Sequence, residues 1–285
     1  MSELKNKSEI ITYYEECDNA YRDAWGMDKN LQLNLGLWNN GTKKLSEALL
    51  NLNQEIAEKA TLSKNSKVLD AGCGVGGTAI YFAKHYGCTV TGITITPHQA
   101  EKAKRNAINS GVDHLVNFEV MDFMATSFPD DSFDIITGLE SICYAEPKID
   151  FLKEAFRLLK LGGKLVLAEN LQGKAELTKA EYDSLYTNAF HGCKVQSLDT
   201  SEQYINNLKE VGFSKYLSED YTNLIRPSIK RLRKFYYAAL LYNRYHRLIG
   251  KPFSATQEAN TKMCYHLQSS LKRGLWSYGI ITATK

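Results

Sequence analysis

The pattern of apolar and polar residues along 67–170 predicts that strands and helices alternate along this part of the chain. Short apolar or β-branched runs, typical of buried strands, are separated by stretches in which apolar residues recur at helical spacing. The predicted strands, including two nearer the end of the chain, are Lys67–Ala71, Thr89–Thr94, Val116–Val120, Phe133–Thr137, Lys164–Ala168, Phe213–Tyr221 and Tyr278–Thr284. The predicted helices are Gly77–Tyr86, Pro97 to about Ser110, and Ile149–Leu159, which the pair Gly162–Gly163 is expected to stop. This order predicts a mostly parallel sheet with helices on both faces and ligands beyond the carboxyl ends of its strands.

Two segments break the alternation and have mainly helical patterns, namely residues 1–60 and 178–274. We therefore expect a helical N-terminal lid (1–60), an α/β core (61–175) and a C-terminal part (176–285) that completes the sheet and carries an inserted helical lid. The C-terminal lid includes the basic and aromatic stretch RLRKFYYAALLYNRYHRL, within a predicted helix over about residues 230–247. The sequence leaves three interpretations of this helix open: contact with an anionic membrane, a clamp for a phosphorylated acceptor, or a solvated face with tyrosines packed inward.

Composition narrows the class of protein further. The formal net charge is only +3, which by itself does not favour a nucleic-acid partner. No apolar run approaches the roughly 18–20 residues of a membrane span, and the first residues lack an apolar signal-peptide core. The six cysteines are scattered without a C-x-x-C pair, which favours free thiols over disulfides or a metal site. A cytoplasmic protein without stable membrane insertion is predicted.

The stretch VLDAGCGVGGT (residues 68–78) raises a question about charge. Its glycines fit G-x-G-x-x-G, the fingerprint of a loop that binds a dinucleotide pyrophosphate. Asp70, however, stands at the tip of the preceding strand, where its charge would repel a phosphate in a partly desolvated cleft. The next strand also ends without the acid that a dinucleotide site uses for the ribose. A ligand with a cationic ammonium or sulfonium group would be attracted by Asp70 instead of repelled. The loop therefore favours S-adenosylmethionine (SAM) over NAD.

The chain resembles the class I SAM-dependent methyltransferases. VLDAGCGVGGT resembles their first motif, and VMDFMATSFPDDSFDIITGLESICYAEP and EAFRLLKLGGKLVLAEN resemble the later ones. GITITPHQ and YRDAWGMDKNLQLNLGLW are similar to a small-molecule subgroup that includes tocopherol, sterol-C24 and cyclopropane fatty-acid enzymes. The resemblance implies a Rossmann-like seven-stranded sheet, with SAM as the cofactor and no metal.

The resemblance also implies residue roles. The residues expected to bind the cofactor are Asp70, Gly72, Gly74, Thr94, Gln99, Asp122, Phe123 and Trp38. Tyr14, Tyr21, Trp25 and Tyr144 are expected to line the acceptor pocket. Glu140, just past the fourth strand, is the first candidate for a base or a carbocation-stabilising group, and His191 is the second.

These features predict a methyltransferase that modifies the carbon or oxygen of a small, largely apolar acceptor, such as an isoprenoid, a sterol-like lipid or another natural product. An amine N-methyltransferase of the glycine or phosphoethanolamine type is the alternative within enzymes. A non-catalytic SAM-binding scaffold is the alternative of another class. No nucleic-acid partner is expected, peripheral membrane contact is left open, and so is the choice between monomer and homodimer.

Overall fold

The computed structural model describes residues 2–285, with side chains from residue 7 onward, and contains one seven-stranded sheet. The strands are β1 (Lys67–Ala71), β2 (Thr89–Thr94), β3 (Val116–Val120), β4 (Phe133–Leu139), β5 (Leu159–Gln172), β6 (Ser214–Asp220) and β7 (Trp276–Thr284). Their order across the sheet is β3-β2-β1-β4-β5-β7-β6. Strands β1 to β5 are parallel, whereas β7 runs antiparallel to both β5 and β6. The predicted Rossmann-like, mostly parallel sheet is therefore confirmed.

The helices also follow the predicted pattern. They are α1 (Ser2–Ala20), α2 (Met27–Asn30), α3 (Leu45–Ala60), α4 (Gly77–Tyr86), α5 (Pro97–Ser110), α6 (Lys148–Leu158), α7 (Lys179–Tyr182), α8 (Ser201–Val211), α9 (Thr222–Leu248) and α10 (Ala255–Lys272). Helices α4 and α5 have the predicted bounds. Each is followed by a glycine with positive φ, Gly87 at +68° and Gly111 at +70°, a conformation that an L residue adopts only with strain.

The start of β5 differs from the prediction. The Gly162–Gly163 pair does not stop a helix, because α6 already ends at Leu158 and β5 begins at the next residue. Leu159 is fully buried and pairs with Phe133 of β4, and the burial of its side chain stabilises this position in the sheet. The glycine pair instead lies in the irregular beginning of the strand, where the β4–β5 register shifts.

Apolar layers cover both faces of the sheet. One layer joins α3 and α4 to the sheet through buried side chains such as Leu52 and Phe82. The other joins α6 and α8 through Phe151, Leu152 and Leu208. Burial on both faces explains the continuous apolar run in the central strand β5, whereas β3 at the edge of the sheet alternates apolar and polar residues.

The helices outside the core lie over the carboxyl ends of the strands. Helices α9 and α10 pack against each other, α10 also contacts α1, and an ion pair between Asp18 of α1 and Lys102 joins α1 to α5. The division into two lids and a core stays a prediction, as does the cytoplasmic location. Among the helices of the described residues, none has the length and apolar character to cross a bilayer.

Candidate active site

A cavity of about 810 Å³ lies at the carboxyl ends of β1, β2 and β4. Its wall includes the turn after β1, the ends of β2 and β4, and side chains of α1, α9 and α10. Parallel α/β sheets bind ligands at this edge because the connecting loops converge there. The volume is near the upper end of the roughly 300–1,000 Å³ of small-molecule sites, which leaves room for a cofactor and a second ligand.

The turn after β1 brings backbone close to its neighbours. Gly72 has φ +86°, and a Cβ at this position would collide with the side chain of Ser141. Ser141 is fixed there because its hydroxyl donates to the carbonyl of Ala71 at 2.5 Å. Gly74 has φ +54°, and a Cβ built on it would meet nothing within 4 Å, although Gly74 lines the cavity. The turn thus presents open backbone to a ligand.

Asp70 combines burial with an unsatisfied oxygen. It is only 2% exposed and lines the cavity, and its Oδ2 has no hydrogen-bond partner among the described residues. Burial raises the pKa of Asp70 to about 7, against the opposing effects of the Ala79 N–H and the Thr137 side chain. Because an unpaired buried carboxylate oxygen is costly, this position fits a ligand that brings a cationic donor.

The ends of β2 and β3 add polar groups to the same wall. The buried Thr94 hydroxyl lies 3.3 Å from Oε1 of Gln99, and both residues line the cavity. Asp122 follows β3; its Oδ1 accepts from the N–H of Met124 at 2.9 Å, and its Oδ2 lies 2.6 Å from Nζ of Lys7 in α1. Phe123 lines the cavity and packs edge-to-face on Phe151 in the sheet's apolar layer.

Glu140 follows β4 and lies at the cavity wall with φ +54°. Its Oε1 accepts two hydrogen bonds, from the N–H of Leu35 at 2.7 Å and from the hydroxyl of Tyr278 at 2.9 Å. Burial raises the pKa of Glu140 to about 7, although both donors lower it. A carboxylate whose pKa is near 7 can accept a proton at physiological pH, which is what a general base requires.

Tyrosines form much of the remaining wall. The hydroxyls of Tyr14 and Tyr144 lie 3.2 Å apart, and the Tyr144 hydroxyl donates to the carbonyl of Cys193 at 2.8 Å. Tyr13 and Tyr21 are joined through their hydroxyls in the same group. Burial raises the pKa of Tyr144 well above 10, so this part of the wall is uncharged.

Sulfur and indole groups continue this apolar surface. The thiols of Cys17, Cys143, Cys193 and Cys264 line the cavity, and burial raises the pKa of each, so they are neutral. Trp25 is buried at the same wall and donates from Nε1 to the carbonyl of Asn34 at 3.0 Å. In the part of the chain with described side chains, no group of three His, Cys, Asp or Glu residues is arranged to hold a metal.

Two of the residues predicted for the site lie elsewhere, which corrects their placement. Trp38 does not line the cavity; its Nε1 donates to the hydroxyl of Ser228 at 2.8 Å and fixes the N-terminal segment to α9. His191 is exposed and lies in a separate polar cleft with His266. It is on the short helical segment Phe190–Cys193, where the neighbours Phe190 and Cys193 line the cavity instead.

The sequence reasoning also missed residues that the fold brings to Glu140. Leu35 contributes only its backbone N–H, so its side chain gave no signal. The sequence pattern predicts the strand that contains Tyr278. The alternation of side chains along a strand does not show, however, that the Tyr278 side chain reaches Glu140. Glu169 was missed as well; it is fully buried and accepts from the N–H groups of Ser141 and Ile142 at 3.0 and 2.7 Å.

The sheet order defines a Rossmann-like domain, and the buried acid before its glycine turn favours a ligand with a cationic group. Comparisons with known proteins agree: a family model described as a methyltransferase domain matches residues 69–167. The 27-O-demethylrifamycin SV methyltransferase of Amycolatopsis mediterranei is 31% identical over 78% of this chain and 79% of its own. The sarcosine/dimethylglycine N-methyltransferase of Halorhodospira halochloris is 26% identical over 78% of each chain.

The crystal structure of the 4+2 cyclase SpnF is similar in fold, with a TM-score of 0.80 and 23% identity over 98% of this chain and 96% of that one. This chain therefore belongs to the class I SAM-dependent methyltransferases. It is an enzyme that uses SAM as its cofactor and acts on small molecules. The unpaired oxygen of Asp70 and the open backbone at Gly74 fit that cofactor.

Proposed function

We propose that this methyltransferase modifies a small, largely apolar acceptor at carbon or oxygen. The observation that carries the proposal is the composition of the cavity wall, which includes uncharged tyrosines, neutral thiols and a buried tryptophan together with Glu140, a carboxylate of raised pKa. Such a surface favours an acceptor that loses little hydration on entry.

The cofactor half of the cavity is assigned by charge and position. Asp70 would face the ammonium group of SAM, directly or through water. Gly72 and Gly74 would lie against its methionine portion, where the open backbone at Gly74 leaves space. The Thr94–Gln99 pair would bind near the ribose, and Asp122 with the Phe123 backbone would lie near adenine.

The chemistry needs positioning more than activation. SAM supplies a methyl group on a sulfonium, which is ready for an in-line displacement. Glu140 would remove a proton from the acceptor or stabilise a cation formed on it, because its Oε1 is held by Leu35 and Tyr278 while its pKa lies near 7. Tyr14 and Tyr144 would orient the acceptor, and the apolar wall would keep water away from the reacting atoms.

The relatives support two acceptor classes. The first relative is named as a methyltransferase of 27-O-demethylrifamycin SV, which agrees with an acceptor oxygen. The sarcosine/dimethylglycine relative is an N-methyltransferase, and tyrosine rings beside Glu140 would also suit a cationic amine through cation–π contact. The amine acceptor is therefore the second candidate.

One experiment separates these cases. The purified protein is incubated with SAM carrying a labelled methyl group and with the organic and aqueous fractions of a cell extract, and Glu140→Gln is run in parallel. Label in an organic-phase product that depends on Glu140 supports the apolar acceptor. Label found solely in a water-soluble amine supports the alternative. SAM binding without transfer to any fraction would contradict both and favour a scaffold.

A further inference from the structure

The second half of α9 leaves a row of apolar side chains in solvent. Leu241 is 72% exposed and Leu248 is 81% exposed, and Tyr237 and Tyr245 are each more than half exposed. Residues 237, 241 and 248 share one side of the helix because they are separated by about one and two further turns. We call Tyr237, Leu241, Tyr245 and Leu248 the α9 face. Large apolar side chains grouped in this way on a surface usually mark a contact site.

The charge of α9 has one sign. It carries seven basic residues and no acid, namely Arg226, Lys230, Arg231, Arg233, Lys234, Arg244 and Arg247. The whole chain has 35 basic and 32 acidic residues, so the rest of the chain is acidic on balance. Lys230, Lys234 and Arg244 are exposed, and helical geometry puts them on the same side as Leu241. The exposed apolar row therefore lies within the basic part of the molecule.

The opposite side of the same helix belongs to the cavity. Leu232, Phe235 and Ala239 line it, and Tyr242 lines it while remaining 55% exposed. The cavity consequently reaches the surface beside the α9 face. Tyr242, which is both exposed and part of the cavity wall, gives an apolar molecule a contact between the α9 face and the cavity.

We propose that the α9 face docks on an anionic lipid bilayer and that the acceptor enters the cavity from that membrane. The entry route rests on the apolar acceptor proposed above, whereas the docking does not. Basic side chains around exposed leucines and tyrosines complement anionic headgroups above a hydrocarbon layer. A second copy of the chain fits less well, because a two-fold contact would bring two sets of basic side chains together.

Vesicle flotation tests the docking with the full chain. The protein is expected to float with phosphatidylcholine vesicles that contain phosphatidylglycerol, to float much less with pure phosphatidylcholine, and to be released as salt is raised. Leu241→Glu with Leu248→Glu should weaken the binding by at least about tenfold, because two apolar side chains are lost and two negative charges face the lipid.

A matched variant controls for the change in charge and hydrophobicity. Leu161 is 90% exposed and lies near the amino end of β5. The cavity lies at the opposite, carboxyl ends of the parallel strands. Leu161→Glu combined with Ile108→Glu, a second exposed position, should leave vesicle binding unchanged. SAM affinity should be the same in all three proteins, which shows that each is folded.

Three results would overturn the docking: no flotation with anionic vesicles, equal loss in the control variant, or unchanged binding in the α9 variant. A concentration-dependent dimer that the α9 substitutions abolish, without vesicle binding, would assign this face to a second copy. Flotation requires no acceptor, so a polar acceptor found in the labelling experiment would refute the proposed function and the entry route while leaving the docking intact.

Discussion

Replacing Asp70 by Asn tests the charge argument with little change in shape. The substitution removes the negative charge but keeps the side-chain size, so the strand and the glycine turn should be preserved. A hydrogen bond to a charged group contributes about 1.5–3 kcal/mol. At about 1.4 kcal/mol per tenfold change in affinity, SAM binding should weaken by about 10-fold to 150-fold.

The stability of the ligand-free protein should change in the opposite direction. The pKa of Asp70 is raised to about 7 in the folded protein, whereas an unfolded Asp has a pKa near 3.9. Between these values the folded state binds the proton more tightly, so stability falls as pH rises from about 4 to about 7 and stays lower above that. Asn carries no charge, so Asp70→Asn should be more stable than wild type at alkaline pH, by at most roughly 4 kcal/mol. This gain should vanish near pH 4.

Calorimetric titration with SAM and thermal unfolding measure the two effects separately. Wild-type affinity should increase between about pH 6 and about pH 8.5 as Asp70 becomes ionised, and Asp70→Asn should lose most of that dependence. Asp134→Asn is the control, because Asp134 lies at the amino end of β4, away from the cavity, where it pairs with Lys160 at 2.6 Å. It should leave SAM affinity unchanged. Wild-type SAM affinity in Asp70→Asn at alkaline pH would refute the assignment of this carboxylate to the cofactor.

The remaining predictions concern the base, the turn and metals. Glu140→Gln should lower turnover by roughly 10²–10⁴-fold with SAM affinity retained; unchanged turnover with the identified acceptor would reject a base role. Tyr278→Phe removes a donor that lowers the pKa of Glu140, so the acid limb of the pH–rate profile should move to higher pH, and an unmoved limb would contradict this. Gly74→Ala and Gly111→Ala should each lose roughly 1–2 kcal/mol of stability, because both glycines have positive φ and open space, but SAM titration should show weaker binding in Gly74→Ala alone. EDTA should leave activity unchanged in a methyl-transfer assay, and a sharp loss would indicate a metal requirement.

Local patterns predicted most of the sheet because each strand and helix has its own period and its own end signal. The bounds of β1, β2, α4 and α5 agree with the sequence expectations. Strand β5 is much longer than Lys164–Ala168, since its second half is stabilised by antiparallel pairing with β7. That partner lies over a hundred residues away, and a local window does not contain it.

The candidate site was likewise predictable where the signal is local and not where it depends on distant residues. That Asp70, Gly74, Thr94 and Asp122 lie at one cavity was predictable, because the carboxyl ends of parallel strands converge on the same side of the sheet. The partners of Glu140 were not, since they are 105 and 138 residues away in the chain. Whether a side chain on a helix outside the sheet layers points into the cavity or away from it depends on packing. The sequence therefore did not indicate that His191 lies outside the cavity while its neighbours Phe190 and Cys193 line it.

Buried carboxylates at the ends of three neighbouring strands link stability to function. Burial raises the pKa of Asp70 and Glu140 to about 7 and that of Glu169 to about 8. Glu169 also accepts the N–H groups of Ser141 and Ile142 and so fixes the loop that begins with Glu140. Because the folded state raises all three pKa values, the ligand-free protein is more stable below pH 7 than above it. Binding a cation and accepting a proton, in contrast, require the ionised carboxylates that form at higher pH. Cofactor binding should therefore stabilise the protein most where the empty site is weakest, above about pH 7.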